Sequence, residues 1–327
     1  MTQSVVSRNP GVNRPLLNRA RSDEEIANQL LNTKSAKFSE RLIGYLLVAC
    51  GLISVLTTVG IVLVLIEEAL QFFGDVSLAD FLFGTEWTAL FADGSFGVLP
   101  LVSATVMIAA LSMVVAIPVG LLVAIYLSEY ASPKVRSVLK PVMELLAGVP
   151  TIVFGYFALT FITPSVLKPI FSETQVFNIL AASIAVGIMV IPLVASLSED
   201  ALSAVPRALR EGAFGMGATR MEVSTQVVVP AALSGIVASI VLAISRAFGE
   251  TMIVAIAAGS KAQIADNPLE PGQTMTGFMV QAFSGDVETG STVYKSLFAV
   301  GLLLFLITLV LNLISNRIVA KFREAYD

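Results

Sequence analysis

Histidine is absent from all 327 residues, and cysteine occurs once, as Cys50. The first absence removes the commonest general base and the commonest metal ligand, and no Asp/Glu cluster at metal-ligand spacing stands in for it. That argues against hydrolytic, redox or metal-centred chemistry in this chain. A lone cysteine excludes an intrachain disulfide. Charge is scarce too: 13% of the residues are Asp, Glu, Lys or Arg, against 56% hydrophobic, which is not the composition of a soluble domain. Internal repeats and low-complexity tracts are also missing.

The few charges cluster, leaving uncharged windows at Leu42–Ile66, Gly94–Ser128, Leu145–Ser165, Thr174–Ser198, Val223–Ser245 and Ser296–Asn316. Each reaches the roughly 20 residues with which a helix crosses about 30 Å of hydrocarbon. Backbone groups in lipid must bond within their own segment, and these windows lack the polar alternation of barrel strands, so helices are the spanning structure that fits. The predicted class is an all-α membrane protein with six transmembrane helices. The spans fall at about 42–66, 97–128, 142–164, 176–198, 226–258 and 294–316 within a permease domain covering 41–327. The first window is long and starts beyond residue 40, so it reads as a true span and not as a signal peptide.

Lys and Arg set the orientation. They gather at Arg8–Arg41, Lys134–Lys140, Arg207–Arg220 and Arg317–Arg323, whereas the opposite side holds only Lys168, Lys261 and Lys295. Six spans with both termini cytoplasmic satisfy this asymmetry, and one span more or fewer breaks it. Residues 1–40 are polar and carry Pro10 and Pro15, the pattern of a flexible cytoplasmic tail. Ser22–Glu25 in that tail has capping-box spacing. Outside, Glu67–Asp93 brings six acids, several phenylalanines and the sole tryptophan, Trp87; aromatics at this level suit the membrane interface.

Three constellations remain. The cytoplasmic connection Glu199–Glu222 is too polar to span and predicts short helices, with Pro206 at a helix start and Gly212, Gly215 and Gly217 permitting tight turns and close approach by another protein. Its core is Glu211, Gly212, Ala213, Gly217, Ala218 and Arg220, which by themselves also suit a solvated amphipathic loop. In the fifth segment, Arg246-Ala-Phe-Gly-Glu250-Thr251 places Arg246 and Glu250 four apart on one helix face, where they can pair. Charge at mid-bilayer costs roughly 2.5 to 3.5 kcal/mol per residue on insertion scales, so such groups face a bundle interior or a pathway. Either an interhelical ion pair or an oxyanion contact fits, since an arginine fork donates two parallel hydrogen bonds and stays charged when desolvated. The third constellation, Gly148-Val-Pro150-Thr-Ile-Val-Phe-Gly155, opens the third span, where it loosens the helix or serves close packing.

The loop resembles the EAA loop of ABC-transporter permeases: Glu211-Gly212-Ala213, three residues, Gly217, nine residues, then Val227-x-Val229-Pro230. It departs in Gly212 for Ala and in the two valines for Ile and Leu. Together with Gly148–Gly155 and Arg246–Thr251, the chain resembles the phosphate transport system permeases. Phe81-Leu-Phe-Gly-Thr-Glu-Trp87 and Phe96-Gly-Val-Leu-Pro100 are more similar to the PstC type than to PstA. The resemblance implies a type I ABC importer permease fold and a permease subunit with no catalytic or metal site of its own, resident in the plasma membrane. It implies a PstA-type second permease, two PstB-type subunits carrying ATP and Mg, a PstS-type external phosphate-binding protein, and no nucleic acid. It places Arg246, Glu250 and Thr251 in translocation, Glu211 to Arg220 in ATPase coupling, and Gly148, Pro150, Gly155 and Pro230 in hinging or packing. An ABC permease for molybdate or sulfate, a secondary transporter and a membrane scaffold are the other readings; the EAA spacing speaks against the last two.

Overall fold

A computed structural model describes residues 34–91 and 94–322; the capping-box spacing at Ser22–Glu25 and most of the predicted tail lie outside them. Two units are distinguished, one ending at Leu63 and one from Val64 onward, and the second holds every site discussed below. Helix α1 runs Lys34–Asp75, beginning inside the segment predicted as tail. After it, α2 (Leu78–Phe83) is capped by Ser77, whose hydroxyl accepts from the Asp80 amide. An isolated antiparallel bridge pairs Trp87 with Phe96. Trp87 is buried within the protein. It meets Phe81, Phe96 and Phe278 edge-on, with ring centroids 4.8 to 6.4 Å apart, a geometry favoured by the ring quadrupole.

Long apolar helices follow: α3 (Leu99–Tyr130), α5 (Thr151–Ile170), α6 (Ile179–Ser203) and α12 (Thr292–Phe322). With α1, five helices among the described residues are long and apolar enough to cross a membrane, and a sixth if the bent pair α8 (Arg220–Ala231) and α9 (Leu233–Phe248) counts as one. The heart of the bundle is α3 against α6. Small residues let their backbones approach, as apolar side chains gain little from leaving lipid and contact must come from packing. A Cβ on Gly120 would lie 2.8 Å from Val194, and one on Gly187 2.9 Å from Val115. Helix α9 joins through Gly235, set against Ala201, and through a buried 2.8 Å hydrogen bond between Ser198 and Ser239.

Two predicted spans need correction. The third does not begin near 142: Pro133–Ala147 forms a separate amphipathic helix, α4, capped by Ser132. Arg136, Lys140 and Glu144 recur every four residues on one face, while Val135, Val138, Val142 and Leu145 are exposed on another, the division of an amphipathic helix and not of one apolar all round. The fifth, 226–258, is not one helix. It bends by 71° between α8 and α9, two residues beyond Pro230, and α9 stops at Phe248 before α10 (Met252–Ala257) resumes. A further short helix, α11 (Met275–Ser284), packs beside α12.

Candidate functional site: a cavity at a broken helix, and a glycine-turned loop

Gly249 terminates α9, and the chain makes one last loose turn in which the Gly249 amide donates to Ser245 and the Glu250 amide to Ala247. Glu250 therefore lies past the helix and not on its face as predicted, yet this turn keeps it within reach of Arg246. Its Oε2 is 3.3 Å from the Arg246 guanidinium, and its Oε1 accepts the Ile253 amide at 3.3 Å, capping α10. The Glu250 carbonyl accepts the Thr276 hydroxyl at 2.7 Å, which fixes the break against α11. Buried carboxylates need such partners, because an unpaired charge in a low-dielectric interior is strongly disfavoured.

The two members of the pair differ in access: the Glu250 side chain is 2% exposed, that of Arg246 47%. Arg246 lines a cavity of about 550 Å³ between α4, α6 and α9, with Lys140, Glu144, Met189, Pro192 and Asp200 on its walls; a second guanidinium nitrogen lies 3.8 Å from the Met189 sulfur. A guanidinium has five donors, so one carboxylate partner leaves capacity for an anion. Thr251 does not share this cavity. Its hydroxyl donates to the Gly249 carbonyl, and it borders a separate, largely apolar cavity with Thr276, Met279 and Tyr294.

The predicted coupling residues form a helix–turn–helix. Helix α7 (Arg207–Gly215) begins after Pro206 and ends in a glycine turn: Gly217 has φ +89°, its amide donates to Phe214, and the Ala218 amide reaches back to Ala213. This pair of bonds closes a helix C-terminus with a left-handed residue, which glycine adopts without steric penalty. Glu211, Gly212 and Arg220 are exposed, Ala213 is buried, and a Cβ on Gly212 or Gly217 would meet nothing within 4 Å. Helix α8 starts with a reciprocal capping box between Thr219 and Glu222. The Thr219 amide, and then its hydroxyl, hold the exposed Glu222 carboxyl below its usual range. Phe214, Met216 and Met221 stand exposed around the turn.

Gly148 and Pro150 mark the boundary between α4 and α5 instead of a kink within a span: Gly148 is the C-cap of one and Pro150 the N-cap of the other. At Gly155 a Cβ would come within 3.2 Å of Ile256 and Ile253, so glycine lets α5 approach α10.

Sequence reasoning missed an electrostatic cluster. Glu199 of α6, wholly buried, pairs with Arg136 and, at 2.5 Å, with Lys140, both from α4, and accepts the Ser203 hydroxyl at 3.0 Å. Nearby, Arg210 of α7 reaches Glu129 at 3.1 Å and the carbonyls of Leu202 and Val205 at the end of α6. Its only signal in the sequence was an acid, Glu199, directly following an uncharged window and facing two basic loops.

An all-helical membrane bundle with a broken span, a charged cavity beside the break and an exposed helix–turn–helix between crossings is the build of a transport permease. The family described as "Binding-protein-dependent transport system inner membrane component" matches residues 116–324. The chain belongs to that family, and is a transport component of the inner membrane and not an enzyme. Among its relatives, the probable ABC transporter permease protein YqgH of Bacillus subtilis is 32% identical over 91% of this chain and 98% of its own length. The phosphate transport system permease protein PstC of Xylella fastidiosa is 30% identical over 76% and 80%. A bacterial alginate ABC transporter, solved with a pentasaccharide-bound periplasmic protein, shares the fold with a TM-score of 0.60 at 16% identity, covering 84% of this chain and 93% of that one.

Proposed function

We propose that this chain is a permease subunit of an ATP-driven importer that moves inorganic phosphate across the plasma membrane. The observation that carries the reading is Arg246, held by a buried carboxylate and opening into a cavity of the membrane bundle, in a chain whose relatives include PstC phosphate permeases. An arginine already partnered by Glu250 binds an oxyanion weakly, and transport needs a site strong enough to fill and weak enough to empty.

In this reading the Glu211–Arg220 turn, with exposed Phe214 and Met216, docks on an ATP-binding subunit; ATP and Mg sit on that subunit and not on this chain. The partners are a PstA-type second permease, two PstB-type ATPases and a PstS-type external binding protein, and both termini face the cytoplasm. ATP-driven closure of the ATPases acts through differential contact with the turn in the two states.

The test is Arg246→Gln in the assembled transporter. Loss of a charge-assisted hydrogen bond of about 1.5 to 3 kcal/mol predicts a roughly tenfold to hundredfold fall in phosphate uptake, with the partner subunits still co-purifying. Unchanged uptake kinetics would overturn the role of Arg246, and a wild-type complex that carries sulfate or molybdate but not phosphate would overturn the substrate.

A further inference from the structure

The cavity holds a second cation. Lys140 lines it together with Arg246, on the wall formed by α4. Along α6 the lining runs from Met189 to Asp200, eleven residues at about 1.5 Å each, or roughly 16 Å. Arg246 touches Met189 at one end of that run, and Lys140 reaches Asp200, at 3.9 Å, at the other. The two cations thus mark opposite ends of one cavity, with Lys140 at the end from which α7 departs.

Both are parked on buried carboxylates, Arg246 on Glu250 and Lys140 on Glu199. The Glu199 site has one property that the Glu250 site lacks, a second cation: Arg136 and Ser203 both bond its Oε1, whereas Lys140 faces Oε2, which makes no hydrogen bond. If the ammonium of Lys140 swings away, no hydrogen bond is broken at Oε2, and the carboxylate stays paired with a cation and a hydroxyl through Oε1. Arg136 is less free to leave, because the same nitrogen also binds Ser203 at 3.1 Å. A lysine, with a compact charge on a flexible stem, is the side chain suited to such an exchange, and 35% of it is already exposed.

We propose that Lys140 is a second anion-binding residue of this cavity, which takes the substrate from the Arg246 end by exchanging Glu199 for the anion and releases it on the ATPase side. This rests on the phosphate reading above. Glu144 and Asp200, which line the same cavity, repel the anion and shorten its stay. No covalent step is involved.

The experiment uses the complete transporter in liposomes, with phosphate added on the ATPase side as a competing product. In Lys140→Gln the phosphate concentration that halves transport rises about tenfold, as expected for one lost charge-assisted contact; KM on the binding-protein side is unchanged, and Lys140→Arg, which keeps the charge but not the flexible stem, falls between the two. A merely structural lysine would lower the maximal rate without moving that inhibition constant, which would overturn the proposal. A second measurement needs no variant: acylation of Lys140 in the wild-type complex, followed by mass spectrometry, falls several-fold with added phosphate. Acylation that ignores phosphate overturns the assignment. A wild-type complex that carries no phosphate overturns both this inference and the functional reading; phosphate transport with unaltered inhibition in Lys140→Gln overturns this inference alone.

Discussion

Glu199 and Glu250 are both buried carboxylates at the ends of apolar helices, yet their surroundings diverge. Glu199 has two cations from α4 and a serine one turn along its own helix, and the cations lie 59 and 63 residues away in sequence. Glu250 has one cation, four residues back, and caps the helix that follows it. The first arrangement clamps two segments of chain together. The second holds a half-exposed arginine at the edge of a cavity and leaves that arginine donors to spare. Partner count thus separates a carboxylate that ties two helices together from one that holds an arginine at the edge of a cavity.

The sharpest way to break this contrast is Glu199→Ala. Removing it deprives Arg136 and Lys140 of their shared buried partner, and a hydrogen bond to a charged group is worth about 1.5 to 3 kcal/mol. The expected outcome is loss of folded protein, read as a large drop in thermal midpoint and in membrane yield; normal yield would mean that the clamp is idle. Glu250→Gln is the counterpart with a different readout. The amide still accepts from the Ile253 amide but no longer balances Arg246, so membrane yield stays near wild type while uptake falls about tenfold, equivalent to roughly 1.4 kcal/mol. Equal loss of yield in the two variants would erase the distinction. The smallest effect belongs to the neutral link Ser198–Ser239, where Ser198→Ala costs about 0.6 kcal/mol, the mean for interhelical hydrogen bonds in membranes. A shift in midpoint as large as that of Glu199→Ala would show that neutral bonds, not charges, hold this end of the bundle.

The sequence made local features legible and left distant ones hidden. Uncharged windows marked the crossings, since a single charge in lipid is costly wherever the rest of the chain goes. Gly217 was readable as a turn because its left-handed conformation is a demand of its own backbone. Arg246 and Glu250 were readable as a pair because they are four residues apart, although the helix ends between them. The Glu199 cluster was not, since its ion pairs join residues more than fifty positions apart. The separate existence of α4 was obscured because Val138, Val142 and Leu145 run on into the next apolar window, and hydropathy weighs composition where the division is one of faces. Thr251, grouped with Arg246 and Glu250 in the sequence, borders a different cavity for a related reason. Past Gly249 the chain abandons the helix, so adjacency in sequence no longer means a shared side.

The glycine contacts between α3 and α6 carry a last consequence. With Gly120 filled by Val194 and Gly187 by Val115, the two helices interlock like meshed teeth, and a slip of one turn, about 5.4 Å, would drive valine into backbone. They must travel as a single rigid strut, so any widening of the passage falls to the pieces that lean on it, α4 and the fractured α9–α10 arm, which are the two that carry its cations.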